Sequence, residues 1–124
     1  MIQIDVEIRN RPGELGKLAQ VLGEAGVNIG HISAQAGKTR AYVSLIVDQT
    51  ATARSALKAA GYAAAQRTVL IVRLKDKPAA LGELARRLGD AGVNIDSVVH
   101  LETAGGFAQL AIGVDDLAKA RGLV

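Results

Sequence analysis

The segment "PGELGKLAQVLGEAGVNI" at positions 12–29 returns at 78–95 as "PAALGELARRLGDAGVNI", with 12 of 18 residues identical. Repetition of this kind means that one structural unit is built twice, and a fold assigned to one copy must also fit the other. With 124 residues, each copy has about 60, a size that buries only about 60% of its chain surface and benefits from a partner.

The flanking patterns supply the elements. Ile2, Ile4, Val6 and Ile8 alternate with Gln3, Asp5, Glu7 and Arg9, which predicts a strand with one apolar face. Its counterpart, "TVLIVRLK" at 68–75, has four consecutive apolar residues and predicts a strand buried on both faces, central or covered. Pro12 and Pro78 suit a first helical turn, and Asn10 and Asp76 upstream suit caps for its free amides. Leu15, Leu18, Ala19, Leu22 and Ala25 then recur at helical spacing, as do Leu81, Leu84, Ala85, Leu88 and Ala91, and Gly26 and Gly92 close the two helices.

Two strands follow each helix. "VNIGHISAQA" and "TRAYVSLIVD" flank Gly37-Lys38 as a hairpin, and the second hairpin turns at Gly105-Gly106. Positions 50–61 read as a second helix beginning near a Thr cap, "YAAAQR" as a short fourth strand or a linker, and Asp115 onward as a last helix with no strand after it. Each unit is thus βαββαβ, an α+β arrangement in which an antiparallel sheet carries both helices on one face. We expect units at 1–66 and 67–124, with their sheets side by side and the second lacking its last strand. An edge left open in this way suits a second copy of the chain, hence a homodimer.

Composition excludes several functions. Cysteine is absent, which removes disulfides, thiolate nucleophiles and zinc–thiolate sites and fits a cytoplasmic protein. The alternating N-terminus is no signal peptide, and no apolar run approaches the roughly 20 residues that span a bilayer. The net charge of +3 comes from signs interleaved along the chain, a weak pointer to a polyanion. Only Tyr42, Tyr62 and Phe107 are aromatic, too few for the base-stacking sheet of an RNA-recognition module. No Ser-His-Asp set, Cys-His set or phosphate-binding GxxxxGK[ST] loop is present, so no enzyme activity is expected. His31 and His100 fall at non-equivalent repeat positions and make a sparse metal shell.

The combination of an Asn or Asp, one residue, Pro, a Leu-rich helix and Gly-Val-Asn-Ile on βαββαβ periodicity resembles the ACT domain. This is a small regulatory module that binds amino acids, found in amino-acid biosynthetic enzymes and in free-standing tandem proteins. The resemblance covers nearly the whole chain, twice over. It implies binding without chemistry or cofactor: an amino acid lodged where ACT units pair, held by the first β–α loop of one unit and by strands of its neighbour. The residues matching that loop are Asn10, Arg11, Pro12, Gly13, Glu14, Leu15 and Gly16, with Asn28 and Ile29 at the start of the second strand. The repeat places Asp76, Ala79, Leu81 and Asn94 likewise. A His often found in such modules two residues before the loop Asn is Ile8 here.

Elementary chemistry suits such a ligand. Free amides at a helix N-terminus attract a carboxylate, and the side-chain carbonyls of Asn10 and Asn28 can accept from an ammonium. Asp76 can pair with an ammonium more strongly, but Ala79 in place of glycine crowds the loop, so the Gly13 loop is expected to bind better. The alternative is a subunit without ligand that docks on a metabolic enzyme.

Overall fold

The computed structural model describes residues 1–124. Its elements run β1 (Ile2–Arg9), α1 (Glu14–Glu24), β2 (Ile29–Ala36), β3 (Arg40–Val47), α2 (Thr50–Ala59), β4 (Ala64–Thr68), β5 (Leu70–Lys75), α3 (Ala80–Asp90), β6 (Ile95–Ala104), β7 (Phe107–Val114) and α4 (Leu117–Arg121). The chain divides into two compact units, Ile2–Arg67 and Thr68–Val124, with Met1 grouped with the second. The first unit holds a four-stranded sheet in the order β2-β3-β1-β4, and the second a three-stranded sheet in the order β5-β7-β6. Both are ferredoxin-like, and in the second no strand takes the place of β4.

In the first unit the alternation of β1 places Ile4, Val6 and Ile8 opposite Leu45, Val43 and Ala41 of β3, a row of apolar cross-strand pairs. Leu18 and Leu22 of α1 and Ala53 and Leu57 of α2 pack on that same row, so both helices cover one face. Burying each of these leucines contributes roughly 1.5–3 kcal/mol. In the second unit Leu70 and Val72 face Ile112 and Leu110, covered by Leu84 and Leu88 of α3 and Ala120 of α4. With so few aromatic residues, both cores are aliphatic.

Three helix expectations need correction. Leu15 and Leu81 are not core residues, being 42% and 46% exposed, and Ala19 is exposed as well. Leu15 and Leu81 sit in the first turns, short of the leucine seam, and Ala19 lies about 100° around the helix from Leu18, off the buried face. Neither Pro12 nor Pro78 lies in a helical turn, because each helix begins two residues later. Asn10 and Asp76 cap nothing: α1 and α3 are preceded by Gly13 and Ala79 with no side-chain cap.

What occurs instead is a type II turn, with the Glu14 amide donating to the Arg11 carbonyl at 3.3 Å and the Ala80 amide to the Lys77 carbonyl at 3.4 Å. Proline fits the second position of this turn, and the third requires a positive φ. Gly13 meets the requirement at φ 86°, ψ −12°, while Ala79 is forced to φ 73°, ψ −10°.

The strand reading also changes at β5. It is an edge strand that alternates, with Leu70 and Val72 buried and Ile71 39% exposed, so its apolar run is not covered on both faces. The fourth strand of the first unit is present as β4, and α2 begins after Gln49 without a Thr side-chain cap. The last helix is capped by Asp116, whose carboxylate accepts from the Lys119 amide at 3.0 Å. Gly105 and Gly106 close the second hairpin with both φ angles positive, as a two-residue turn of this kind requires.

An alanine held in the left-handed region costs on the order of 1 kcal/mol. Ala79→Gly should therefore raise the unfolding free energy by about 1 kcal/mol, and Gly13→Ala should lower it by a similar amount. Urea denaturation of the full chain reads both, and an unchanged midpoint for Ala79→Gly would count against strain at this turn.

Candidate functional site

The loop between β1 and α1 is held against the β2–β3 hairpin. The Asn10 amide donates to the Thr39 carbonyl at 2.9 Å, and its side-chain Nδ2 donates to Gly37 O at 3.0 Å and Lys38 O at 3.5 Å. The Asp76 amide repeats the backbone bond, to Gly106 O at 2.9 Å. An ionised Asp has no donor, so the side-chain clamp has no counterpart there. The hairpin closed by Gly105-Gly106 is already tight without it. The Asn10/Asp76 difference therefore has a structural cause, the two hairpin turns being unlike.

Behind this clamp lies a cavity of about 210 Å³, walled by the loop residues Asn10, Arg11, Glu14 and Leu15 on one side and by Gln35, Ala36 and Val43 of β2 and β3 on the other. It opens beside β2, the edge strand of the sheet. Ile32, Ala34 and Ala36 pair with Leu45, Val43 and Ala41, which sets them on the helix-bearing face, yet Ile32 is 47% exposed. The repeat reproduces this: Leu81 and Val98, the counterparts of Leu15 and Ile32, are 46% and 44% exposed. Each unit thus presents an uncovered pair of apolar side chains, one at a helix start and one on the adjacent edge strand.

On the opposite side of the loop a cavity of about 430 Å³ is charged, with Arg9, Arg11, Lys17 and Arg40 against Glu7 and Glu14. Arg11 Nε donates to Glu14 Oε1 at 2.6 Å, and this bond holds the Glu14 carboxyl below the ordinary glutamate value. Desolvation opposes the effect, while the charges of Arg11, Lys17 and Arg9 add to it. The Tyr62 hydroxyl is buried with no hydrogen-bond partner, and desolvation, reinforced by the charge of Glu14, raises its pKa and keeps it protonated.

The predicted site residues do not all gather at one place. Pro12, Gly13 and Gly16 are exposed, and a Cβ at Gly13 or Gly16 would meet no atom within 4 Å. Ile29 is half-buried against the core. Asn28 lies beyond the C-terminus of α1, whose 11 residues put it about 16 Å along the helix from the loop. Its backbone is engaged with Asp48, the Asn28 amide donating to Asp48 Oδ1 at 2.9 Å and the Asp48 amide to Asn28 O at 3.2 Å. Asn94 and Asp115 repeat both bonds at 2.9 and 3.1 Å. Within one unit, then, Asn28 does not approach Asn10, nor does Asn94 approach Asp76. Gln35, Ala36 and Tyr62 were invisible as site residues, because only strand pairing and the α2–β4 turn bring them to the loop. His100 Nε2 lies 2.7 Å from Thr103 Oγ1, and no group of three His, Cys, Asp or Glu residues is placed to hold a metal.

Comparisons with known proteins agree on the fold. The family model for the ACT domain matches residues 2–60. No curated protein sequence matches the chain. Among solved structures, a protein from Bacteroides thetaiotaomicron superimposes with a TM-score of 0.86 at 20% identity, over 98% of this chain and 84% of that one. The ligand-free regulatory subunit of aspartate kinase from Thermus thermophilus gives 0.67 at 22% identity, over 90% and 81%. The corresponding subunit from Thermus flavus gives 0.68 at 20% identity, over 96% and 86%.

Two measurements test the loop. Removing the guanidinium in Arg11→Gln should move the Glu14 titration, followed by carbon-detected NMR, up towards the ordinary glutamate value. Because a depressed carboxyl stabilises the fold above its unfolded pKa and loses that contribution as pH falls through its folded value, the variant should also show less acid-dependent loss of stability. Tyr62→Phe removes an unsatisfied buried hydroxyl, so its thermal unfolding should match the wild type or exceed it by up to about 1 kcal/mol. A loss of more than about 2 kcal/mol would mean that the hydroxyl has a partner.

Proposed function

We propose that this small chain, which contains an ACT domain over residues 2–60, is a regulatory binder of a free amino acid, which it takes up where ACT units pair as a homodimer. The observation that carries this reading is the cavity behind the Asn10–Leu15 loop, opening beside an edge strand whose Ile32 is uncovered. A second unit laid along β2 buries Leu15 and Ile32 and closes the open side of the cavity. Asn28 fits the same picture. Lying about 16 Å from the loop of its own unit, it meets a ligand held by that loop only as the residue of a neighbour.

The amino acid's carboxylate finds the amides at the start of α1 and the Arg11 guanidinium, and its ammonium finds the free Oδ1 of Asn10. Arg11 is already committed to Glu14, so a carboxylate competes for it and returns Glu14 to solvent or to the ligand's ammonium. Because such a ligand touches both sides of a seam, its binding and the pairing of units are linked. The aspartate kinase regulatory subunits that share the fold support a regulatory role, with a metabolic enzyme as the partner that reads the state.

A thermal-shift screen of the full chain against the twenty amino acids is the direct test. At a hundredfold excess over Kd the right ligand stabilises by about 2.7 kcal/mol. Ile32→Glu together with Leu15→Glu should reduce the mass read by light scattering to that of a monomer and remove the response. No shift with any amino acid would favour the docking subunit that carries no ligand.

A further inference from the structure

We propose that the groove between α2 and β4 is a separate binding site for a small organic phosphate. The groove encloses about 760 Å³, within the range of about 300–1,000 Å³ typical of small-molecule sites. It lies within the first unit, on the side of the sheet away from β2.

Its charge is of one sign. Arg54 and Lys58 line it, and no carboxylate does. The sequence carries the same bias further: from Gln49 through Lys75 there is no Asp or Glu, against five basic residues, so the rest of the chain is net negative. This corrects the impression of evenly interleaved signs. Arg54 is held in place, its Nη1 donating to Gln66 Oε1 at 3.1 Å. An amide oxygen fixes the guanidinium without neutralising it, which leaves a positioned and uncompensated cation. Lys58, one helical turn further on and about 6 Å along the axis, makes no ion pair.

The hydroxyl of Ser55 stands between the two cations in sequence and lines the same wall. A guanidinium, an ammonium and a hydroxyl together ask for an acceptor with several oxygens and a charge near −2, which a phosphate ester supplies and a single carboxylate does not. The remaining wall is apolar, formed by Ile2, Ala64 and the ring of Tyr62, and accepts the organic body of the ligand. The Asn10–Leu15 loop contributes no residue to this groove, which shares only Tyr62 and Ala63 with the charged cavity beside that loop.

The test is calorimetric titration of the full chain with adenosine 5′-monophosphate and with pyrophosphate, alongside citrate as a polycarboxylate and poly-glutamate as an acidic peptide, all at one ionic strength. We expect saturable binding of both phosphates at one site per chain. Arg54→Gln and Lys58→Gln should each weaken it by about tenfold or more. Arg86→Gln, which removes an exposed cation of α3 paired to Asp90 at 3.8 Å, should leave it unchanged. The proposal is overturned if neither phosphate binds, if citrate or poly-glutamate binds as tightly, or if Arg86→Gln weakens binding as much as the groove variants do.

Discussion

One backbone angle in each unit decides where everything else goes. The positive φ at Gly13 and Ala79 turns the chain back on itself directly after β1 and β5, so that the following helix runs antiparallel to the strand it has just left and lays its leucines on that strand's apolar row. Had the loop taken an extended path, Leu18 and Leu22 would not face Val6 and Ile8. The same turn brings Arg11 within reach of Glu14 and leaves Leu15 outside the core, beside the edge strand. The glycine at position 13 is thus favoured by the turn's positive φ, which Ala79 adopts only under strain, and not by close packing, since the space around it is open.

Electrostatics divides the first unit into regions of different character. Around the β1–α1 loop, two of the cations are paired with carboxylates: Arg11 with Glu14 at 2.6 Å, and Arg40 with Glu7 at 3.9 Å. Such pairs are exposed and contribute little to stability, but they keep the loop's charges exchangeable, ready to change partner when a zwitterion arrives. Along α2 the cations have no such partners. A zwitterion suits the first region and a dianion the second.

Much of this was legible in the sequence, and the reasons are physical. The repeat, the period of two in β1, the leucine spacing and the Gly-Gly hairpin each report a local constraint, and the elements they predicted are present. What failed depended on tertiary context. The run "VLIV" at 69–72 looked doubly buried, but β5 lies at the edge of its sheet, and edge position is not encoded in hydrophobicity alone. Pro12 and Pro78 fit both a helix start and a type II turn, and the glycine after Pro12, carried to the second copy by the repeat, was the signal that favoured the turn. In the candidate site, the loop residues were found from the repeat, while Gln35, Ala36 and Tyr62 reach it through pairings between residues far apart in the chain. The backbones of Asn28 and Asn94 are each joined to the aspartate at the end of the neighbouring strand, a pairing that sequence position alone did not announce.

The hairpins have a kinetic consequence. β2 with β3, and β6 with β7, are joined by turns of two or three residues, so their pairing closes small loops at little entropic cost, whereas β1 must wait for β3 across some thirty residues of intervening chain. Hairpin formation is therefore the natural early event in both halves, with β1 or β5 and the leucine face of its helix condensing afterwards onto a ribbon already in register. Two halves that nucleate on the same local motif can begin folding independently, each while the other is still unstructured.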